Sequence, residues 1–189
     1  GLYHHKNYTS KEYGQDFQNW GVLQDNNGVM VFANGNGVMT YDGKSWTLIE
    51  TPTESVIRSM AMDETGKIYV GALDDIGFLK INNTGGLVYE SLLPLLKPEL
   101  QTMGNVWNTQ VSKDVVWFGA ETGLYSWNGE RIQFWQWPNV NAFHKTFIWK
   151  DILYAYEEGK GLMRFVDNEF SLAPGGETLI KNRVYGGIP

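Results

Sequence analysis

The chain has 189 residues, with 15 Lys and Arg, 21 Asp and Glu, three His and no Cys, and its formal net charge is -6. The lack of a dense positive cluster argues against nucleic acid and anionic membranes as partners. The lack of Cys excludes disulfides, thiolate metal sites and a cysteine nucleophile. A hydrophobic fraction of 42% fits a folded globular protein. Eight Trp, ten Tyr, nine Phe and 22 Gly beside six Pro favour an all-β protein with tight turns.

Short apolar runs and turns alternate from the N-terminus in an order that repeats. In the first unit the runs lie at 20–24, 29–33, 37–42 and 46–48. The third run of each later unit also begins at a glycine, so that the series reads Gly37, Gly77, Gly123 and Gly161. These glycines are roughly 40 residues apart, a period that indicates a repeat architecture. The second interval is the longest because it contains "SLLPLLKPELQ", residues 91–101, which we interpret as a loop or short helical turn.

Turn chemistry marks the hairpins inside each unit. Asp25-Asn26-Asn27-Gly28 separates the first two runs of the first unit, and Asp63-Glu64-Thr65-Gly66 does so in the second. Asp42-Gly43 and Asn128-Gly129 precede a fourth run. Asp-Gly and Asn-Gly favour hairpins because both central residues of a type I′ turn need positive φ. Each unit is therefore predicted to be a four-stranded antiparallel meander.

A repeated meander of this length is typical of a β-propeller blade. Hairpins stacked in a sandwich are the alternative, but they would not keep so regular a period. We predict one propeller segment over 1–189, with about four blades and the start of a fifth, at 18–50, 55–92, 105–136, 141–173 and 178–189. We expect it to belong to a larger propeller, in which open blade edges meet the remaining blades or a second copy.

Several motifs of the first 90 residues occur in a fixed order and spacing. They are Gln18-Asn19-Trp20, Phe32-Ala33-Asn34, Tyr41-Asp42-Gly43, Trp46, and Gly66-Lys67-Ile68-Tyr69-Val70-Gly71. In this order the chain resembles the two-component regulator propeller domains of bacterial hybrid sensor histidine kinases. The third unit fits the same template at Val116-Trp117-Phe118-Gly119. The fourth departs from it at Tyr154-Ala155-Tyr156, where a glycine is expected.

The resemblance implies an extracytoplasmic, periplasmic sensor domain. Domains of this family often comprise two seven-bladed propellers followed by an immunoglobulin-like domain, a membrane helix and cytoplasmic signalling modules. A histidine kinase is the commonest attached output, whereas the propeller itself is not an enzyme. Family members often respond to glycan fragments, so the resemblance implies a saccharide ligand.

The chain shows no sign of a membrane-inserted segment or a signal peptide. No apolar run approaches the roughly 20 residues that span a bilayer, so we expect no direct membrane insertion. The start "GLYHHKNYTS" lacks the apolar core of a signal peptide. If the natural protein is exported, we expect its signal to precede Gly1.

Histidines and turn carboxylates do not suggest a metal or cofactor site. His4 and His5 lie in a poorly patterned start, and His144 has no second ligand at useful spacing, so we expect no metal and no cofactor. The "DNNG" turn at Asp25 lacks the remaining oxygen ligands of a calcium loop, which leaves a plain turn.

Two pairs of adjacent carboxylates could be taken for the acid and base of a glycosidase, Asp74-Asp75 and Glu157-Glu158. Adjacent residues on a strand point to opposite faces, however. We therefore interpret both pairs as solvated turn residues and expect no catalytic residue in this segment.

The aromatic residues suggest a ligand site. Three tryptophans recur in the units and are assigned to packing between blades: Trp46, Trp117 and Trp127. The stretch "RIQFWQWP" differs, because Trp135 and Trp137 share one strand face and Arg131 and His144 lie near them. Aromatic faces with a few polar partners suit a sugar pocket, although packing at a blade edge explains these residues as well.

The sequence as a whole favours a non-catalytic, extracytoplasmic propeller that senses a small molecule or oligosaccharide for a two-component system. Two other functions stay open. One is a propeller glycoside hydrolase or lyase, and the other is a propeller that binds proteins. Activity on polysaccharides would favour the first, and a tight protein partner without any glycan ligand would favour the second.

Overall fold

The computed structural model describes residues 5–185 and is built almost entirely of strands. Four antiparallel sheets of four strands each follow one another along the chain, and every sheet keeps its strands in sequential order. The prediction of an all-β chain of four-stranded antiparallel blades is thus confirmed. The first two blades contain β1 (Asn19–Gln24), β2 (Met30–Asn34), β3 (Gly37–Tyr41), β4 (Trp46–Ile49), β5 (Ile57–Met62), β6 (Ile68–Ala72), β7 (Ile76–Ile81) and β8 (Leu87–Ser91).

The third and fourth blades have the same organisation. Their strands are β9 (Val106–Ser112), β10 (Val115–Ala120), β11 (Gly123–Trp127), β12 (Ile132–Gln136), β13 (His144–Trp149), β14 (Ile152–Glu157), β15 (Gly161–Val166) and β16 (Glu169–Leu172). One helical turn, α1 (Ser10–Tyr13), precedes the blades. Residues 91–101 form two 3-10 turns, Leu93–Leu95 and Pro98–Leu100, as the sequence predicted for the loop between blades 2 and 3.

Aspartate side chains close the hairpins between the first and second strands. Asp25 Oδ1 accepts hydrogen bonds from the N–H groups of Asn27 and Val29, both at 2.8 Å. Asp63 Oδ1 does the same for Thr65 and Lys67 at 2.9 and 3.0 Å. A side chain that satisfies two backbone donors specifies this turn by itself. The sequence with partial likeness to a calcium loop is therefore a hairpin turn.

The blades pack face to face, and their first strands are innermost. β1, β5, β9 and β13 contact one another in succession. Three apolar layers fill the spaces between neighbouring blades. Trp127 and Trp117 belong to these layers, as the sequence predicted. Trp46 does not, because it packs on the outer face of blade 1 against Tyr8 and Tyr13, with ring centroids 5.3 and 5.4 Å away.

Glycines on the second strands let the next blade approach closely. A Cβ on Gly71 would lie 2.8 Å from Thr109 Oγ1, and a Cβ on Gly119 would lie 2.9 Å from Thr146 Oγ1. Thr109 and Thr146 belong to the first strands of the following blades. Blade 4 has Tyr156 instead, opposite Lys145, and this tyrosine is buried.

The structure corrects the alignment of the second repeat. The sequence placed Gly77 beside Gly37 and Gly123, but Asp75 occupies that position in blade 2. Residues 73–75 join β6 to β7, and the Ala72 N–H donates to the Asp75 carbonyl at 2.9 Å. Asp75 is fully buried, and its Oδ1 accepts a hydrogen bond from the Ser91 hydroxyl at 2.7 Å.

The outer face of blade 4 carries aromatic side chains. Phe147 stacks on Tyr154 with ring centroids 5.6 Å apart, and Trp149 beside them is 43% exposed. A 3-10 turn at Gly176–Leu179 packs against β15. Residues 180–185 contain no strand, and 186–189 lie outside the described residues, so the start of a fifth blade at 178–189 stays a prediction.

Candidate ligand-binding site

A cavity of about 350 Å³ lies between blades 3 and 4, at the end of the blades where the first strands begin. The start of β9, the end of β10 and the loop between the blades form most of its wall. Side chains that line it include Trp107, Asn108, Glu121, Trp137, Asn141 and His144. A second depression of similar volume lies at the opposite end, between blades 2 and 3, and turn residues such as Asp63, Thr65 and Asn128 form its wall.

Two stacked rings form one wall of the cavity. The indole of Trp137 and the imidazole of His144 have centroids 4.5 Å apart and planes 9° apart. Trp137 is only 2% exposed, and its Nε1–H donates to the Ala120 carbonyl at 2.7 Å. Burial lowers the pKa of His144 below its usual value, although Glu157 opposes this effect. The imidazole is therefore neutral at pH 7.

A buried carboxylate lies behind the imidazole. The Glu157 side chain is 1% exposed, and its Oε1 is 2.9 Å from Lys160 Nζ. Its Oε2 is 3.5 Å from His144 Nε2, and neither of these two atoms has a hydrogen-bond partner. At that distance the contact is too long for a good hydrogen bond. Glu157 thus forms an ion pair with Lys160.

The outer rim of the cavity is an ion pair. Arg183 Nη2 donates to both oxygens of Glu158 at 2.9 Å, and its guanidinium lies 5.0 Å from the centre of the Phe143 ring. Glu157 and Glu158 are thus each paired with a cation.

A cationic and aromatic cluster adjoins the cavity through Trp107. Trp20, Arg58 and Trp107 each follow the first residue of an innermost strand, at a β-bulge that leaves them unpaired. A bulge re-aims a side chain relative to the regular strand. The Arg58 guanidinium lies 4.3 Å from the centre of the Trp20 ring and 5.0 Å from that of Trp107. Three consecutive blades therefore contribute one side chain each.

Polar side chains hold this cluster in place. Arg58 Nε donates to Asn105 Oδ1 at 2.6 Å, and Asn105 Nδ2 donates to Glu121 Oε1 at 2.8 Å. The Trp107 indole N–H donates to the same oxygen at 3.2 Å. Trp20 and Trp107 are 43% and 38% exposed, respectively. The cluster is thus ordered by hydrogen bonds and still accessible to a ligand.

The four residues predicted to form a ligand site lie in different surroundings. Trp137 and His144 form one wall of the cavity, as described above. Trp135 packs between blades against Trp117 and Phe165, with ring centroids 5.8 and 5.0 Å away. Arg131 is exposed in the turn before β12, at the other end of that strand from Trp137.

The adjacent carboxylates at Asp74 and Asp75 have structural contacts. Asp74 Oδ1 accepts hydrogen bonds from the N–H groups of Met103 and Gly104 at 2.9 and 2.6 Å. Asp75 is buried away from the cavity, and Glu157 is buried at the end of β14, so the expectation of solvated turns is wrong for these two residues. Within residues 5–185, no group of three or more His, Asp or Glu side chains is arranged to hold a metal ion. His5 is exposed, and His4 lies outside the described residues.

The sequence did not reveal Trp20, Arg58 and Trp107 as a group. Each lies near the start of its repeat, which is a signal that a search by repeat position would find. In a regular strand, each of these side chains would point between two blades. The β-bulges that change this direction have no clear marker in the sequence.

Comparisons with known proteins identify the fold. No protein-family model matches the chain, and no curated protein matches it. The extracellular domain of the putative hybrid two-component system BT4673 from B. thetaiotaomicron is similar at a TM-score of 0.59 and 21% identity, over 78% of this chain and 20% of that one. The corresponding domain of BT3049 from the same organism gives a TM-score of 0.62 at 16% identity, over 83% and 23%.

An enzyme also has this fold. Virginiamycin B lyase from Staphylococcus aureus, in a catalytically inactive form with quinupristin, is similar at a TM-score of 0.64 and 14% identity, over 83% of this chain and 55% of the lyase. These similarities establish the β-propeller fold. The chain spans about a fifth of the length of the BT4673 domain and about half of the lyase. Along residues 5–185, no helix has the length and apolar character that crossing a membrane requires.

Proposed function

We propose that this chain is an extracytoplasmic ligand-sensing propeller of the two-component regulator type, and that it binds a saccharide in the cavity between blades 3 and 4. The observation that carries the proposal is the combination of an accessible indole, Trp107, with side-chain amides and charged groups around a cavity of about 350 Å³. Aromatic faces stack on the C–H faces of sugars, while amides and charged groups bind hydroxyls.

The state of the carboxylates favours binding over hydrolysis. A glycosidase needs an acid and a base or nucleophile on two sides of the scissile bond. Glu157 lies behind the cavity wall and is paired with Lys160, and Glu158 at the rim is paired with Arg183. Glu121 accepts hydrogen bonds from Asn105 and Trp107. With its carboxylates engaged in this way, the site is suited to recognition.

The structural neighbours support the sensory part of the proposal. Two of them are extracellular domains of putative hybrid two-component systems. A sensor responds only if its ligand binds two arrangements with different affinity. The cavity is formed by two blades and by Arg183, which follows the fourth blade, and we propose that a bound saccharide favours one arrangement of these parts.

The partner of the outer face of blade 4 is part of the proposal. Phe147, Trp149 and Tyr154 present an aromatic surface similar in composition to the surfaces that pack between the other blades. We propose that further propeller blades cover it in a longer, seven-bladed propeller, and that a second copy covers it when this chain is alone.

The direct test measures binding and turnover together. A panel of plant, algal and host oligosaccharides is titrated into the protein by calorimetry, and the same mixtures are analysed for new reducing ends or unsaturated products. We expect at least one saccharide to bind without turnover, and Trp107→Ala to weaken it about tenfold, since stacking contributes roughly 1 kcal/mol or more. Trp149→Ala is the matched control, because Trp149 is as exposed but lies outside the cavity. Turnover would favour the lyase or hydrolase alternative, and no binding at all would contradict the proposal.

A further inference from the structure

Arg58 is a cation without a carboxylate partner at the edge of the proposed saccharide site. Its Nε–H donates to the side-chain carbonyl of Asn105, a neutral group. Among residues 5–185, no Asp or Glu oxygen lies within 4.0 Å of the guanidinium nitrogens. The nearby Glu121 is bound by the N–H groups of Asn105 and Trp107 instead. Four of the five guanidinium N–H groups are therefore left for another acceptor.

The two indoles leave much of the cation open to an acceptor. The ring centres of Trp20 and Trp107 lie 4.3 and 5.0 Å from the guanidinium of Arg58 and are 5.7 Å apart. These distances place both rings toward the same side of the cation, so the indoles do not enclose it. A carboxylate binds a guanidinium along its N–H edge, through two parallel N–H···O bonds. The partly desolvated surroundings strengthen such a pair.

The same indole serves the cavity and the cation. Trp107 lines the cavity and also stacks on Arg58, so a sugar ring against its exposed part lies next to the guanidinium. A hexuronic acid carries its carboxylate on the ring carbon, close to the C–H groups that stack on an indole. The spacing of the two protein groups thus fits one acidic sugar unit.

We propose that Arg58, beside Trp20 and Trp107, binds the carboxylate of an acidic saccharide whose sugar ring lies against Trp107. This inference rests on the proposed saccharide-binding function and specifies its ligand class. The competing role of Arg58 is structural, as a cation that joins the first strands of three consecutive blades.

The test compares matched ligands on the unaltered protein. Trimers of galacturonate, glucuronate and mannuronate are titrated by calorimetry beside their methyl esters, which keep the ring but lose the charge. We expect at least one acid to bind about tenfold or more tightly than its ester, as a charge-assisted pair implies. We expect a higher salt concentration to weaken the binding of the acid and to leave the binding of the ester unchanged.

Substitutions then assign the effect to Arg58. Arg58→Met keeps an unbranched side chain beside the indoles, and we expect it to reduce the affinity for the acid to that for the ester. Arg58→Lys keeps the charge but lacks the planar guanidinium, and we expect it to lose part of the affinity for the acid. Arg131→Met is the matched control, because Arg131 is exposed at the far end of blade 3, and it leaves both affinities unchanged.

Each contrary result has its own meaning. If a neutral saccharide binds while no acid exceeds its ester, the carboxylate inference is overturned and the proposed function stands. If Arg58→Met weakens acid and ester equally, Arg58 has only the structural role. If neither acids nor neutral saccharides bind, the proposed function itself fails. The ligand comparison needs no variant, so it decides the question even if Arg58→Met does not fold.

Discussion

The indole of Trp137 lies almost parallel to the imidazole of His144, with ring centroids 4.5 Å apart. The contact joins the end of blade 3 to the first strand of blade 4, and it covers the buried Glu157. Because the imidazole is desolvated here, burial lowers the pKa of His144, and the charged form is disfavoured in the folded state.

His144 should make the protein less stable in acid. The unfolded chain binds a proton at His144 at a higher pH than the folded chain does, so the free energy of unfolding falls as the pH drops below about 6.5. His144→Phe keeps the stacked ring and removes this titration. We expect the difference in unfolding free energy, wild type minus variant, to fall by about 1 kcal/mol between pH 7.5 and 5.5. Urea denaturation at both pH values measures it. A rise in that difference on acidification would show that attraction to Glu157 prevails instead.

Gly119 should be required for the packing of blade 4 on blade 3. Gly119→Ala places a Cβ 2.9 Å from Thr146 Oγ1, which crowds a buried strand. We expect the free energy of unfolding to decrease by about 1–3 kcal/mol, as in other overpacked cores. Gly21→Ala is the control, because its nearest neighbour, Ala33 Cβ, would be 3.7 Å away. Equal losses in the two variants, measured by urea denaturation, would contradict the role of close approach.

Asp75→Asn should stabilise the protein near neutral pH. Burial raises the pKa of Asp75, and the carboxyl Oδ2 has no hydrogen-bond partner. Because the pKa of Asp75 is higher in the folded state, the protonated carboxyl contributes its full stability below the unfolded-state pKa of about 3.9. This contribution is lost as the pH rises through the folded-state pKa. The neutral amide avoids that loss while it can still accept the Ser91 hydroxyl bond.

We expect Asp75→Asn to gain about 1 kcal/mol at pH 7 and less at pH 4.5. Thermal unfolding followed by circular dichroism at the two pH values tests this. A lower melting temperature for Asp75→Asn at pH 7 would mean that the ionised carboxylate has a favourable partner there.

The outer face of blade 4 should promote self-association of this chain. Trp149 is exposed next to the stacked Phe147 and Tyr154, and a contiguous apolar patch of this kind is typical of an interaction surface. We expect sedimentation velocity to show a concentration-dependent increase in mass, which Trp149→Lys reduces. Leu95→Lys, on the exposed loop between blades 2 and 3, is the control. A monomer at all concentrations would contradict the second-copy part of the proposal.

Much of the fold follows from local sequence signals. The Asp25 and Asp63 turns satisfy their own backbone donors, and the glycine and alternating apolar residues of each unit need no distant contact to specify a hairpin. Both kinds of signal act within a few residues, so the repeat and its antiparallel order could be predicted. The register of blade 2 could not be predicted. Gly77 resembles the glycines that begin the third strands of the other blades, but Asp75 occupies the equivalent position in blade 2.

The sequence by itself determined a chain of four-stranded meanders, because turn chemistry and strand alternation are local properties. It also indicated correctly that Trp137 and His144 are near each other, since one short loop separates them. Only the tertiary structure decided that Trp20, Arg58 and Trp107 form one cluster. These residues lie far apart in the chain and meet because three bulged strands pack side by side. Their direction depends on the packing of the blades, which no single repeat encodes.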